Sequence, residues 1–238
     1  MKKLFSAIVA AMMAIPSFAQ FSSGGFDLDK ESLYYGIRFG AMFSNLSGNT
    51  QRDASQGITY RTDLGMKAGL GLGGVIGLRL SQTAPVFLES GLYFTQRGAK
   101  GHNIDVTYNN LEIPLIVKYG IKVSDNIAIL PFAGMYFAHA IAGKTKQRHL
   151  IVDDKGETKE DGTTEKVGTF AEESARTGGL NRNNIGVKLG CGFEYNKLYL
   201  EAGYQIGLNN IAKGGSNERL SDLSARSNAL FVNVGVNF

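Results

Sequence analysis

Three histidines, one cysteine, a glycine-rich hexad and a regularly spaced set of charges are the residues in this chain whose type could support chemistry. A histidine acts as a base only when a nucleophile and an orienting carboxylate lie within hydrogen-bond reach. His139 has Ala138, Ala140 and Ile141 beside it, and no Ser or acid at same-face spacing on its own segment. His102 and His149 fall in connecting segments; His149 has Asp153 and Asp154 nearby, but on a long polar stretch that reads as solvated. A useful base must be held in place, so no catalytic residue is expected. A histidine–carboxylate metal centre has no better support, and none is expected. The single Cys191 excludes an internal disulfide and a Cys-based zinc site. It sits among apolar neighbours with no activating cation and reads as a small hydrophobe. Gly69-Leu70-Gly71-Leu72-Gly73-Gly74 fits the dinucleotide pattern G-x-G-x-x-G, but that reading needs a strand-to-helix turn. Here a strict alternation continues through the glycines and no amphipathic helix follows, so no cofactor is expected.

The charges are more informative. Arg38, Lys67, Arg79, Glu89, Arg97, Glu112, Lys118, Lys188, Glu194 and Glu201 all lie within alternating segments, and all ten fall on the parity opposite to the apolar residues. They are expected to form a network inside a barrel, with six cations and four acids largely neutralising one another. Eight strands leave a bore that side chains can fill, and buried charges must be paired. The expected lumen is therefore plugged, with a small surplus of cations.

The elements that must position these charges are strands. From Leu64 to Leu80 the even positions are apolar apart from Gly74, while the odd ones are mostly Gly with Lys67 and Arg79. Such strict alternation is a strand with one apolar face. It is roughly three times the usual 5–6 residues, long enough to cross a bilayer at a tilt and extend beyond it. The same parity test assigns strands to Leu33–Phe43, Val86–Arg97, Leu111–Gly120, Ile185–Tyr195, Leu198–Leu208 and Leu230–Phe238. Ile127–Ala142 is strand-like but apolar on both parities, so its faces stay unassigned. The count is eight, an even number as single-chain bacterial barrels require. The expected fold is all-β: an eight-stranded antiparallel up-and-down transmembrane β-barrel. A lipocalin-like barrel or β-sandwich would show the same parity with the faces inverted. Strand length and the glycine on the charged face favour the membrane barrel, since a solvated face has little use for so much Gly.

Residues 1–19 carry Lys2 and Lys3, an apolar run from Leu4 to Ile15 and small residues at Ser17 and Ala19, the pattern of a signal peptide cleaved before Gln20. Its removal takes two of the 25 Lys+Arg and no acid, lowering the charge from +4 to +2. That is too weak for nucleic-acid binding. Residues 20–32 read as a periplasmic segment and 33–238 as the barrel. The connections Ser81–Pro85, Ile121–Asn126 and Asn196-Lys197 are short, as periplasmic turns are; Asn45–Asp63, Gly98–Asn110, Gly143–Arg182 and Asn209–Arg226 are longer, as outer loops are. Residues 143–182 carry eight Lys+Arg and eight Asp+Glu and are expected to form a solvated, mobile loop. Aromatic residues at strand ends (Tyr35, Tyr119, Tyr195 and Phe238 at the periplasmic side, Phe43 and Phe94 at the outer) suit interfacial girdles. The last strand alternates to Phe238, a pattern resembling the signal read by the outer-membrane assembly machinery.

Several stretches resemble the PorT-like family of outer-membrane β-barrel proteins, also called porin-family. They are Leu111-Glu112-Ile113-Pro114-Leu115-Ile116-Val117-Lys118-Tyr119, Pro131-Phe132-Ala133-Gly134, Gly190-Cys191-Gly192-Phe193-Glu194-Tyr195, Leu198-Tyr199-Leu200-Glu201-Ala202-Gly203-Tyr204 and Gly207-Leu208-Asn209-Asn210. The resemblance implies a barrel in the bacterial outer membrane and, through the family's named member, a link to secretion or envelope assembly. It offers no catalytic motif. The expectation is a non-enzymatic, membrane-anchored interaction protein whose partners are outer-membrane lipid, the barrel assembly machinery and an envelope or secretion-system protein. The alternatives are a small porin-like channel with a weakly cationic lumen, and a lipid-modifying enzyme at the outer rim.

Overall fold

The computed structural model describes residues 32–53, 58–61, 64–101, 104–152, 158–170, 180–212 and 224–238. The expected signal peptide, nearly all of 20–32, His102, the side chain of His149 and the acids Asp153, Asp154, Glu157, Glu172 and Glu173 lie outside the described residues. The strands are β1 (Leu33–Ser47), β2 (Asn49–Asp53), β3 (Ile58–Arg61), β4 (Gly65–Arg79), β5 (Val86–Lys100), β6 (Ile104–Tyr119), β7 (Ile121–Ser124), β8 (Ile127–Val152), β9 (Thr158–Gly168), β10 (Asn183–Tyr195), β11 (Leu198–Gly207) and β12 (Arg226–Asn237).

Eight of them close into an antiparallel barrel in the order β1-β4-β5-β6-β8-β10-β11-β12 and back to β1. The closing seam runs from Gly36↔Asn237 to Ser47↔Arg226, and Tyr35 and Phe238 exchange backbone hydrogen bonds of 3.1 and 2.7 Å at its end. The three expected short connections gather at that same end. One turns through Asn196 at φ 56°, a left-handed conformation that Asn tolerates. Another is organised by the Ser81 hydroxyl, which accepts from the Thr83 and Ala84 N–H groups at 3.3 and 3.2 Å.

The faces follow the parity. Leu70, Leu115 and Val234 are 57, 55 and 54% exposed on the outside, while most of the charged and glycine parity is buried or half-buried. Ile127–Ala142, which the pattern leaves unassigned, turns Ala128, Leu130, Phe132, Tyr136 and Ala138 inward and Ile129, Met135, Phe137 and His139 outward. Its inner face is apolar because the charges of other strands need rings and methyls to lie against.

The interior is filled by rings laid on glycines. Tyr34 covers Gly77, Tyr93 covers Gly73, Tyr136 covers Gly186, Phe132 covers Gly190, Tyr199 covers Gly192 and Phe231 covers Gly203; a Cβ at any of these would come closer than 3.0 Å to the ring. All but the Tyr199 pair are direct cross-strand partners. The glycine excess is thus the space into which the large inward side chains pack.

At the end opposite the short turns the strands run on past the apolar belt, and the alternation inverts. On β6, Leu111, Ile113, Leu115 and Val117 face outward; beyond Asn110, Val106 and Tyr108 are buried, with Asp105 and Thr107 opposite them. A wall in hydrocarbon must be apolar outside, and a wall in water apolar inside. The expected outer loop Gly98–Asn110 is consequently shorter than its boundaries: β5 reaches Lys100 and β6 starts at Ile104. Half of 143–182 is likewise strand rather than loop. β8 continues to Val152 and pairs with β9 from Lys144↔Gly168 to Val152↔Thr158. Residues 45–63 contain the β2–β3 pair.

Pro114 lies in the wall itself. The β5–β6 ladder pairs Ser90↔Leu115 and Tyr93↔Glu112, skipping the position opposite Pro114, which has no N–H to give. The Ser90 hydroxyl donates to the Pro114 carbonyl at 2.8 Å. Ser90→Ala is expected to lower stability by about 1 kcal/mol, measured as the urea midpoint of the barrel folded in lipid vesicles; an unchanged midpoint would show the bond to be idle.

Candidate functional site

The lumen carries two charged storeys separated by an apolar one. In the storey nearer the short turns, Glu89 of β5 is the hub. One of its oxygens accepts from the Tyr34 hydroxyl at 2.6 Å, from the Lys118 ammonium at 2.7 Å and lies 3.7 Å from the Arg38 guanidinium. Arg38 also donates to the Asn237 side chain at 2.5 Å and lies 4.0 Å over the Tyr199 ring. Asn237 in turn donates to Glu194 at 2.8 Å. Lys118 donates to the Tyr199 hydroxyl at 2.7 Å, and Tyr199 to Glu201 at 3.2 Å. Glu201 accepts from Asn233 at 2.7 Å and has the Lys188 ammonium 4.0 Å away. Lys188 lies over the rings of Phe231 and Tyr93 at 4.4 and 4.9 Å.

Met42, Ile116, Phe132, Ala229 and Phe231 form the apolar storey above. Beyond them Arg97 pairs with Glu112 and bonds the Gln205 side chain. Gln205 donates back to Glu112 at 2.6 Å, and Arg97 lies 5.1 Å over the Tyr136 ring. Over this second storey Leu46, Ala99, Val106, Tyr108, Leu180 and Ile211 form a buried apolar cap.

Of the ten predicted charges, eight are buried in these storeys: Arg38, Arg97, Lys118 and Lys188 against Glu89, Glu112, Glu194 and Glu201. Among the described residues four buried cations face four buried acids, without the expected cationic surplus. The two remaining cations sit elsewhere. Arg79 is half-buried at the short-turn mouth and donates to the Ser81 carbonyl at 2.8 Å. Lys67 is 22% exposed and pairs with Asp105, also bonding Thr107. The irregular β4–β5 pairing between Met66 and Gly71 frees Lys67 to reach these two residues, which lie on the β6 parity opposite to buried Val106 and Tyr108. Among the described residues, Arg97 Nε and Glu194 Oε2 are buried without a hydrogen-bond partner.

The pattern of charges alone misses the neutral members of the network: Tyr34, Tyr199, Gln205, Asn233 and Asn237. They share the inward parity, which was the available signal, but parity carries no information about height across strands. His139 lies on the outer wall, exposed, with Nδ1 2.7 Å from the Asn183 side-chain oxygen and no carboxylate bonded to it. Cys191 is exposed on the outward face. Among the described residues no three His, Cys, Asp or Glu side chains converge to hold a metal ion.

A closed antiparallel barrel with an apolar exterior and a charged interior is the architecture of outer-membrane β-barrel proteins. The chain matches the outer membrane protein beta-barrel domain family over residues 18–213 and belongs to that family. Solved structures that the chain is similar to include the attachment invasion locus protein Ail of Yersinia pestis, with 13% identity over 87% of this chain and 100% of that one at a TM-score of 0.38. Neisserial surface protein A shares 14% identity over 87% and 98%, at 0.43. OprG from Pseudomonas aeruginosa shares 13% over 90% and 99%, also at 0.43. No curated protein matches the chain.

Proposed function

We propose that this protein is a non-enzymatic outer-membrane anchor with a closed lumen, whose outer hairpins present an interaction surface. One observation carries the reading: four buried cations are matched by four buried acids beneath an apolar cap. Moving an ion through this bore would require breaking buried pairs, each held in a medium where separation is costly. The short turns and both chain ends of the barrel are read as periplasmic, and the extended strands β5, β6, β8 and β9 as projecting from the cell. Export through a cleaved signal peptide belongs to the same reading. So does a protein partner in the envelope or secretion machinery, which the PorT-like motifs support.

Against the channel alternative stands the charge balance of the described lumen; against the enzymatic one, His139, the one histidine with a described side chain, bonds an amide on the outer wall. Planar-bilayer recordings of the refolded barrel are expected to show no conductance steps above the lipid baseline. Reproducible steps that scale with protein concentration would overturn the closed reading.

A further inference from the structure

The exterior wall beyond the apolar belt carries a feature that the closed lumen does not explain. β8 has one extra residue, Ile141, between the pairs Asn110↔Ala140 and Asn109↔Ala142. A bulge of this kind re-aims every side chain after it. Below it the even residues of β8 point inward. Above it Gly143 and Thr145 pair with the inward Tyr108 and Val106, so Lys144 and Lys146 pair with Thr107 and Asp105 and stand exposed on the outside. Without the bulge these lysines would enter the apolar cap. Lys100 of β5 faces the same way as the cross-strand partner of Asp105. Asp105 is the one acid on this patch among the described residues, and Lys67 is paired with it. On the same outer face below Lys144 come Ala142 paired with Asn109, the bulged Ile141, and then the rungs Leu111–His139 and Ile113–Phe137, of whose large apolar side chains Ile141, Ile113 and Phe137 are exposed.

We propose that Lys100, Lys144 and Lys146 bind the phosphorylated headgroup of an anionic lipid in the outer leaflet, with its acyl chains on the wall beneath; the proposal rests on the membrane reading above. Charge complementarity selects a phosphate. Continuity with the apolar wall selects a lipid over free phosphate, because lysine stems that emerge just above a hydrocarbon belt hold their ammonium groups at headgroup level. Two cations at the other rim are differently placed: Lys122 lies 3.9 Å from Asp125, and Arg79 donates to the Ser81 carbonyl.

The test is native mass spectrometry of the detergent-folded full barrel with bisphosphorylated lipid A, with its dephosphorylated form, and with lipid A plus millimolar inorganic phosphate. Each variant is first scored for the gel shift between unheated and boiled samples. The expected result is retention of bisphosphorylated lipid A alone, undisturbed by phosphate. Retention should fall at least tenfold in Lys144→Glu/Lys146→Glu, fall less in Lys144→Gln/Lys146→Gln, and stay unchanged in Lys122→Glu/Lys197→Glu. Equal retention in the first double variant, equal retention of the dephosphorylated glycolipid, or displacement by inorganic phosphate would each overturn the site while leaving the barrel intact. Absence of a gel shift in the unmodified protein would instead overturn the membrane reading, and the site with it.

Discussion

Replacing Glu89 by Gln is expected to destabilise the barrel by about 3–5 kcal/mol, the range for removing one partner of a buried ion pair. The substitution conserves shape, so the loss is one of charge. Lys118 at 2.7 Å and Arg38 at 3.7 Å would then be buried without the carboxylate that neutralises both, and Tyr34 would lose a charged acceptor. The neighbours cannot substitute: Glu194 is held by Asn237 and Glu201 by Asn233. Removing the cation as well, in Glu89→Gln/Lys118→Met, is expected to recover part of the loss, since Phe132 and Tyr199 already form an apolar and aromatic seat around that ammonium. The non-additivity should be about 1–3 kcal/mol. Urea titration in lipid vesicles, followed by the heat-sensitive gel shift, measures both. A loss below about 1 kcal/mol for the single variant, or strict additivity, would remove Glu89 from the centre of the network.

A methyl group added to Gly77 should act through packing, and one added to Gly74 should not act at all. The Cβ of Gly77→Ala would fall inside the Tyr34 ring. That ring cannot withdraw cheaply, because its hydroxyl is held by Glu89 and its edge packs on Phe87 with centroids 5.9 Å apart. Overpacking of this kind costs about 1–3 kcal/mol and occasionally more, with the upper end expected here. The Cβ of Gly74→Ala, three positions away on the outward face, would meet nothing closer than the Gly36 carbonyl at 3.9 Å. Its effect should stay within about 0.5 kcal/mol. Equal unfolding midpoints for the two variants would contradict the packing of rings on glycine.

Both effects show how the information is divided. Gly77 and Gly74 differ by parity, and parity can be read along the chain because a strand repeats every two residues. The same local period assigns the faces of seven strands and sets all ten charges opposite the apolar wall. It is ambiguous in Ile127–Ala142, where both faces are apolar. The inner face of that strand touches Lys118 and Arg97 from other strands rather than supplying charges of its own.

Parity also breaks down where the solvent changes. The pattern used to find strands is tuned to hydrocarbon outside, so the outer parts of β5, β6 and β8 read as loop once the apolar residues switch to the inside. Two pairing irregularities, at Ile141 in β8 and between Met66 and Gly71 in β4, shift side chains in a way that no local period records. For this reason Lys67 leaves the lumen and Asp105, placed in a loop by its polarity, becomes its partner.

The sequence by itself determined the eight strands of the barrel wall, the two-faced division of seven of them and eight of the charges that line the interior, because each depends only on residues two apart on one strand. The tertiary structure alone decided which charge meets which, that buried cations and acids balance among the described residues, and that an apolar cluster lies over them. Those outcomes depend on register between strands far apart in the chain, and register is set when β12 closes on β1.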